Sequence, residues 1–415
     1  MNLLCSECGT PAAADAMFCA DCGGLLAFAT FAAPAGHAPD RDRLAARRAS
    51  TDLRDRSGVW RYRELLPEIP FDEIVTLGEG DVPLYAGPRG AEYARVQRLS
   101  YLHLGMNPTA SFKDGGMTVA VSRAVATGAR VAICASTGNT SASLAAYAAR
   151  AGIAAVVLVP STGISESKVA QTLDYGATVV AIDGDFDAAL ATVRAQDPAR
   201  VAIVNSVNPY RIEGQKTTAF VLLEQRGWRV PDWVIVPGGN LGNTSALGKG
   251  FREALALGWI DRLPRLVTVQ ASGAAPFARS FRTKSDLIPV HAETTATAIK
   301  IGAPASWKKA RAEIAAHRGV VTDVDDDAIA DARAIVGRDG VGCEPASAAT
   351  LAGLRDLVAD GTIGASDDIV LVLTGHVLKD GAYAARYHES DAAFANRIVR
   401  GSDPADVIER LTAPA

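Results

Sequence analysis

Residues 107–114 read Asn107-Pro108-Thr109-Ala110-Ser111-Phe112-Lys113-Asp114, a lone lysine among small and polar side chains. Two other stretches answer it. One is Ser136-Thr137-Gly138-Asn139-Thr140-Ser141-Ala142-Ser143, the other Gly238-Gly239-Asn240-Leu241-Gly242-Asn243-Thr244. Each of these two turns follows an apolar run and opens a helical one. A lysine can form a Schiff base, and backbone N–H groups at a helix start can hold a phosphate. The three stretches together, in this order, suit a pyridoxal phosphate site; any one alone would not carry that reading.

An ordinary lysine is protonated at neutral pH and a poor nucleophile. Burial against apolar walls such as Phe112 and Met117 would lower the pKa of Lys113 and free it for carbonyl chemistry. The plain alternative is an exposed lysine at a helix start. A nicotinamide dinucleotide turn is disfavoured, because Gly-x-Gly-x-x-Gly is absent at 238–244. The hydroxyl-rich turn at 136–143 suits a carboxylate or phosphate at a helix N-terminus, where a simple cap would need only one such residue. Asn205-Ser206-Val207-Asn208-Pro209-Tyr210-Arg211 offers a guanidinium among amides and hydroxyls, a set that suits a phosphate ester. Its alternative is a loop with a surface arginine. Leu373-Thr374-Gly375-His376 ends a strand with a hydroxyl able to meet a pyridine nitrogen.

Outward from these motifs the chain alternates. Strands are expected at 131–134, 155–159, 178–182, 201–205, 233–236, 266–270 and 368–373. Helices are expected at 140–151, 166–175, 186–196, 212–225, 244–257, 326–338 and 346–359. Short apolar runs between helices mean parallel sheets covered on both faces. Two such blocks imply two α/β lobes with a cleft between them. The 415 residues suffice for this, and 48% hydrophobic content with 6% aromatics suits close helix-on-sheet packing. A net charge of −4, with no basic block, argues against nucleic acid or a membrane surface as partner. No apolar run reaches the ~18 residues of a membrane span. The start lacks a charged n-region, so a cytoplasmic enzyme is expected. A homodimer is left open.

Four of the six cysteines form Cys5-x-x-Cys8-Gly9 and Cys19-x-x-Cys22-Gly23, ten residues apart. Glycine after each pair lets the chain turn so that N–H groups reach the sulfurs. Four thiolates suit a structural zinc ion; two disulfides, a redox pair or an iron site are the alternatives, and a cytosolic setting disfavours the disulfides. Cys134 and Cys343 read as small core residues.

From Gly78-Glu79-Gly80-Asp81-Val82-Pro83-Leu84 to about Asp380, the chain resembles the threonine synthases, enzymes of the tryptophan synthase β-like (type II) pyridoxal phosphate fold. Asn205 to Lys216, Glu293-Thr294-Thr295-Ala296-Thr297-Ala298-Ile299 and Glu344-Pro345-Ala346-Ser347-Ala348-Ala349 extend the resemblance in the same serial order. It implies two parallel-sheet α/β lobes with a small N-terminal zinc-ribbon-like module. The expected division is a four-cysteine module over 1–27, a linker over 28–57, the large lobe over 58–113 and 214–395, the small lobe over 114–213, and a C-terminal extension over 396–415.

The resemblance also implies roles. Lys113 would bond the cofactor's aldehyde and act as the catalytic base. Asn139 would contact the cofactor's phenolic oxygen, Gly239, Asn240, Leu241, Gly242 and Asn243 its phosphate, and Thr374 its ring nitrogen. Ser136, Thr137 and Thr140 would bind the substrate near its carboxylate, and Asn205, Ser206 and Arg211 its phosphate. The implied reaction turns O-phospho-L-homoserine and water into L-threonine and phosphate. The sequence departs from the family pattern at His103, Gly115, Val221 and Val377. A lyase or replacement enzyme acting on O-phosphoserine or a related amino acid, cysteate synthase-like, is the nearest rival. A non-catalytic cofactor-binding regulator is another.

Overall fold

The alternation of apolar runs and helices becomes two parallel sheets in a computed structural model of the chain. The structure describes residues 1–31, 39–161, 166–184, 186–197 and 200–396, with the single positions 398, 404, 408 and 411. Residues 32–38 of the expected linker and nearly all of the expected C-terminal extension lie outside them.

The smaller sheet orders Thr178–Ile182, Ala154–Pro160, Val131–Ala135 and Ala202–Ile203, all parallel. Neighbouring residues point to opposite faces, as a pleat requires. Ala132 and Cys134 join one apolar cluster, Ile133 and Ala135 another. The larger sheet orders Val320–Val324, Arg265–Ala271, Trp233–Pro237, Asp368–Leu373, Arg98–His103 and Leu84–Ala86. Only Leu84–Ala86, at the edge, runs antiparallel. Ile235, Leu371 and Val269 pack into one cluster, and Val234, Val236 and Val370 into the cluster on the other face. Both faces are thus covered, as an all-apolar parallel strand demands. The fold class read from the sequence holds. Cys134 and Cys343 are core residues, and burial pushes both thiols up to about 12.

Some elements escape the sequence pattern. Arg98–His103 lies inside the large sheet, but its mixed Arg-Leu-Ser-Tyr-Leu-His composition hides it. Helix Trp307–Ala316 and strand Val320–Val324 fall in what reads as an irregular region. The expected strand at 201–205 shrinks to Ala202–Ile203.

The cysteine segment forms a third, antiparallel sheet ordered Pro11–Ala12, Leu3–Cys5 and Leu26–Phe28. It does not hang free. Leu3, Cys5, Cys19, Leu26 and Phe28 share an apolar cluster with Val59, Trp60 and Met117 of the body.

The C-terminal ends of Val131–Ala135, Trp233–Pro237 and Asp368–Leu373 lead into the turns at Ser136, Gly238 and Thr374. Loops after strand ends are where parallel sheets place ligands. Two helices then cross at the cleft floor, Lys113–Ala126 and Pro209–Gln225. Their contact is backbone on backbone. A Cβ on Gly214 would fall 1.9 Å from the Gly115 carbonyl oxygen, and one on Gly116 would fall 2.8 Å from that of Arg211. Gly214→Ala should therefore cost about 1–3 kcal/mol, the usual toll of overpacking. Gly337→Ala, in a helix with nothing within 4 Å, should instead stabilise by roughly 0.5–1 kcal/mol. Urea unfolding of both variants checks the contrast.

Candidate active site

Lys113 opens its helix, and the turn before it is tied from two sides. Asp114 accepts from the Thr109 N–H at 2.7 Å, from the Thr109 hydroxyl at 2.5 Å and from the Ser143 hydroxyl at 2.6 Å. Burial nonetheless pushes its carboxyl up to about 6. Ala110 sits at φ 63, a conformation only glycine adopts freely. It is held there by the segment after Asp368–Leu373: the Phe112 N–H donates to the Thr374 carbonyl at 2.8 Å, and the His376 N–H to the Ala110 carbonyl at 3.1 Å. The Lys113 amine lies 4.3 Å from the centre of the Phe112 ring. Burial pushes it down to about 7, the Arg211 cation pushes the same way, and Glu344 opposes them. A neutral amine at physiological pH is what carbonyl chemistry needs.

Glu344 is a residue that the sequence places in a motif without a role. Its carboxylate accepts from Asn139 Nδ2 at 2.9 Å and from the Thr374 hydroxyl at 3.2 Å. It thereby joins two residues expected at opposite edges of the cofactor ring. Burial raises its pKa, against the pull of those hydrogen bonds. Ser347 anchors the same corner, accepting from the N–H groups of Thr374 and Gly375 at 2.8 and 3.1 Å. A buried carboxylate is recognisable only once its partners are in place.

The Gly238–Asn243 turn ends Trp233–Pro237 and starts helix Gly242–Ala256, with Leu241 in the left-handed region at φ 65. Backbone strain of this kind gathers at ligand clamps. A Cβ on Gly239 would come within 3.2 Å of the Ala298 carbonyl oxygen, so glycine keeps this wall thin. Both side-chain polar atoms of Asn243 are buried without a partner. Asn240 is fully engaged: Nδ2 donates to the Ser206 hydroxyl at 2.8 Å, and Oδ1 accepts from the Ala305 N–H at 2.8 Å. It locks the turn to the Ser206 loop.

Arg211 donates once, to the Val204 carbonyl at 3.1 Å, while its Nε and Nη2 are buried and unpartnered. Burial pushes the guanidinium down to about 10. With Lys113, Ser206, Gly239–Asn243 and Thr374 it lines the inner end of the cleft. The outer part, about 750 Å³, is lined by Ser136, Thr137, Asn139, Thr140 and Asn205 among others. Every residue expected at the cofactor and the substrate therefore lines one cleft. Asn205, like Asn240, is already engaged, since its amide exchanges two 3.1 Å hydrogen bonds with the backbone of Ala135. At the mouth, Lys379 donates to Gln171, joining the two lobes.

None of the four departures from the family pattern lines the cleft. His103 Nδ1 accepts from the Gly105 N–H at 3.1 Å, so the neutral ring donates through Nε2 to the Gly342 carbonyl at 2.9 Å. Burial pushes its pKa down to about 4. Gly115 belongs to the helix crossing, Val221 to the apolar core, and Val377 packs on Gly342.

The family of pyridoxal-phosphate dependent enzymes matches residues 75–375. Threonine synthase of Methanocaldococcus jannaschii is 43% identical over 93% of this chain and 94% of its own length. That of Synechocystis is 46% identical over 80% and 85%. The chain belongs to the pyridoxal-phosphate dependent enzymes, in the threonine synthase family. It is also similar in fold to threonine synthase from Escherichia coli, with a TM-score of 0.69 at 20% identity, covering 100% of this chain and 95% of the other. A tomato threonine deaminase shares the fold at a TM-score of 0.65 and 18% identity, covering 86% and 95%.

The cleft fits the cofactor of this family of lyases. Lys113 offers the amine, the thin-walled Gly239–Asn243 turn and the orphaned Asn243 amide offer a phosphate cradle, and Thr374 and Asn139 flank the space between. The Lys113 amine should be half neutral at a pH of about 7. The rate at which apoprotein takes up pyridoxal phosphate should rise with pH through that value, since only the neutral amine reacts. Arg211→Ala removes a positive neighbour and should move the midpoint upward. Stopped-flow absorbance from pH 5.5 to 9 checks both.

Proposed function

We propose that the protein converts O-phospho-L-homoserine and water into L-threonine and phosphate. The observation that carries this reading is the buried Arg211 guanidinium with two unused donors. A buried cation without partners is costly, and a phosphate offers the paired acceptors that guanidinium geometry suits. The cradle at 239–243 accounts for one phosphate, the cofactor's; Arg211 calls for another anion. The threonine synthases among the relatives add support, and the four departures lie outside the cleft.

Pyridoxal phosphate, held by Lys113, Asn139, Gly239–Asn243 and Thr374, supplies the electron sink. Lys113, neutral near pH 7, takes the proton at the substrate's Cα. The start of helix Asn139–Ala151, with Ser136, Thr137 and Thr140, orients the substrate carboxylate. Glu344 holds Asn139 and Thr374 at a fixed separation. A Cβ proton is lost as the Cγ–O bond breaks; Arg211 and Ser206, with Asn205 behind them, retain the departing phosphate, Cγ regains a proton, and water adds at Cβ. The Lys379–Gln171 contact limits solvent entry.

Phosphate release and product identity should be measured with O-phosphohomoserine and O-phosphoserine. Threonine from the first substrate, with little release from the second, supports the reading; the reverse overturns it in favour of the shorter phosphoester. Hydrogen bonds to charged groups contribute about 1.5–3 kcal/mol, so Arg211→Ala should lower kcat/KM roughly ten- to over a hundredfold. Cofactor absorbance should survive in that variant and be lost in Lys113→Ala.

The four cysteines are proposed to hold one structural zinc ion. Their sulfurs lie within 4.8 Å of one another, and none of the four is in a disulfide. The N–H groups of Glu7 and Cys8 reach the Cys5 sulfur at 3.4 and 3.5 Å, as expected around a thiolate ligand. Elemental analysis should find about one zinc per chain, lost in Cys5→Ser; a metal-free protein with four free thiols would contradict it.

A further inference from the structure

Tyr210 precedes Arg211 at the start of helix Pro209–Gln225, and its ring faces away from the cleft toward the four-cysteine module. The Phe28 ring stands edge-on to it, centres 4.9 Å apart. Its hydroxyl donates to the Ala14 carbonyl at 3.0 Å. From the third side, the Arg123 guanidinium of the Lys113 helix lies 5.5 Å over the ring. Its N–H is capped by Asn208 at 2.9 Å, and Asn208 is fixed in turn to the Ile203 carbonyl at 2.8 Å. Tyr210 is 6% exposed. The Arg211 side chain, by contrast, makes a single hydrogen bond. Its backbone is held at the helix crossing by Gly116 and, through its N–H on the Asn208 carbonyl at 3.2 Å, by the same Asn208 that caps Tyr210.

The module itself is seated across both lobes. Met17 packs on the small-lobe cluster of Ile133, Ala135 and Ile203, and Phe18 lies 5.6 Å below the Arg194 guanidinium. On the large lobe, Glu7 pairs with Lys308, and the Phe28 carbonyl accepts from the Lys249 ammonium at 2.7 Å. Lys249 belongs to the helix that opens at the Gly239–Asn243 turn. That ammonium sits in a buried network with Glu213 and Glu253, alongside Lys216. Glu253 also accepts from the Phe31 N–H at 3.0 Å. The same short segment thus touches both helices that frame the inner pocket.

We propose that the four-cysteine module positions the anion-binding end of the cleft, acting through the Phe28–Tyr210 contact on Arg211. Tyr210 and Phe28 are positioning residues; neither touches the substrate. The proposal rests on the reading that Arg211 receives the substrate's phosphate. It accounts for the packing of the module on the residue before Arg211.

The test uses the cofactor-loaded enzyme and four variants: Tyr210→Leu, Tyr210→Phe, Phe28→Leu and Arg211→Ala. Binding of inorganic phosphate is measured by calorimetry, and KM and kcat with the phosphoester. Tyr210→Leu and Phe28→Leu should weaken phosphate binding and raise KM by about tenfold, with kcat and cofactor absorbance little changed. Tyr210→Phe keeps the ring and should recover most of the loss. A merely structural contact would lower the melting temperature and leave phosphate affinity alone; that result, with Arg211→Ala still weakening phosphate, overturns the positioning role by itself. Should Tyr210→Leu not fold, Phe28→Leu decides on the same criteria. Unchanged phosphate affinity in Arg211→Ala would remove the phosphate assignment and the positioning role together.

Discussion

Two helices meet where glycines bring their backbones together, and the chemistry of the cleft follows from that contact. Gly115 and Gly116 on one helix and Gly214 on the other let the backbones touch. Lys113 stands at the start of the first helix and Arg211 near the start of the second, so the crossing sets an amine beside a guanidinium in a buried space. Burial disfavours the charged amine, and the like charge of Arg211 adds to the effect. The lysine responds, since ammonium gives up its proton far more readily than guanidinium. The same cation that tunes the lysine is left with donors to spare.

The cleft therefore brings together, at its inner end, two basic side chains, Lys113 and Arg211, and a buried carboxylate, Glu344. The free N–H groups of two helices, at Asn139 and Gly242, point into it as well. Such an arrangement suits a ligand with several negative groups at defined spacing. The polar atoms left orphaned in the inner pocket, on Asn243 and Arg211, mark where those groups would sit. Elsewhere, buried polar side chains such as Asp114, Glu79 and Gln270 are paired, as protein interiors require. Two residues of the inner pocket, Arg211 and Asn243, each leave two buried polar atoms unpaired.

Legibility in the sequence followed chemistry that is local along the chain. Lys113, the 239–243 turn and the Ser136–Thr140 turn announce themselves because the glycines, hydroxyls and amine proposed to bind there sit in short contiguous stretches. Strands such as Thr178–Ile182 and Asp368–Leu373 are visible as apolar runs. What depends on distant partners is not. Glu344 gains meaning only from Asn139 and Thr374, some 205 and 30 residues away in sequence. Tyr210 reads as one loop aromatic until Phe28 and Ala14 are brought to it. Arg98–His103 is polar in composition because its burial comes from sheet neighbours rather than its own pattern. The departures at His103, Gly115, Val221 and Val377 stand out in the sequence against the family pattern; in three dimensions none of the four lines the cleft.

The central claim is that the cleft has two separate anion sites, one in the Gly239–Asn243 turn and one at Arg211. A crystal structure of the cofactor-loaded enzyme with a non-hydrolysable phosphonate analogue of O-phosphohomoserine tests it most directly. The cofactor phosphate should lie within hydrogen-bonding distance of the 239–243 backbone and the Asn243 side chain. The phosphonate should sit on Arg211 Nε and Nη2 and the Ser206 hydroxyl, with the analogue's α-carbon beside Lys113. A phosphonate bound elsewhere, or Arg211 engaged by the cofactor phosphate alone, would contradict it.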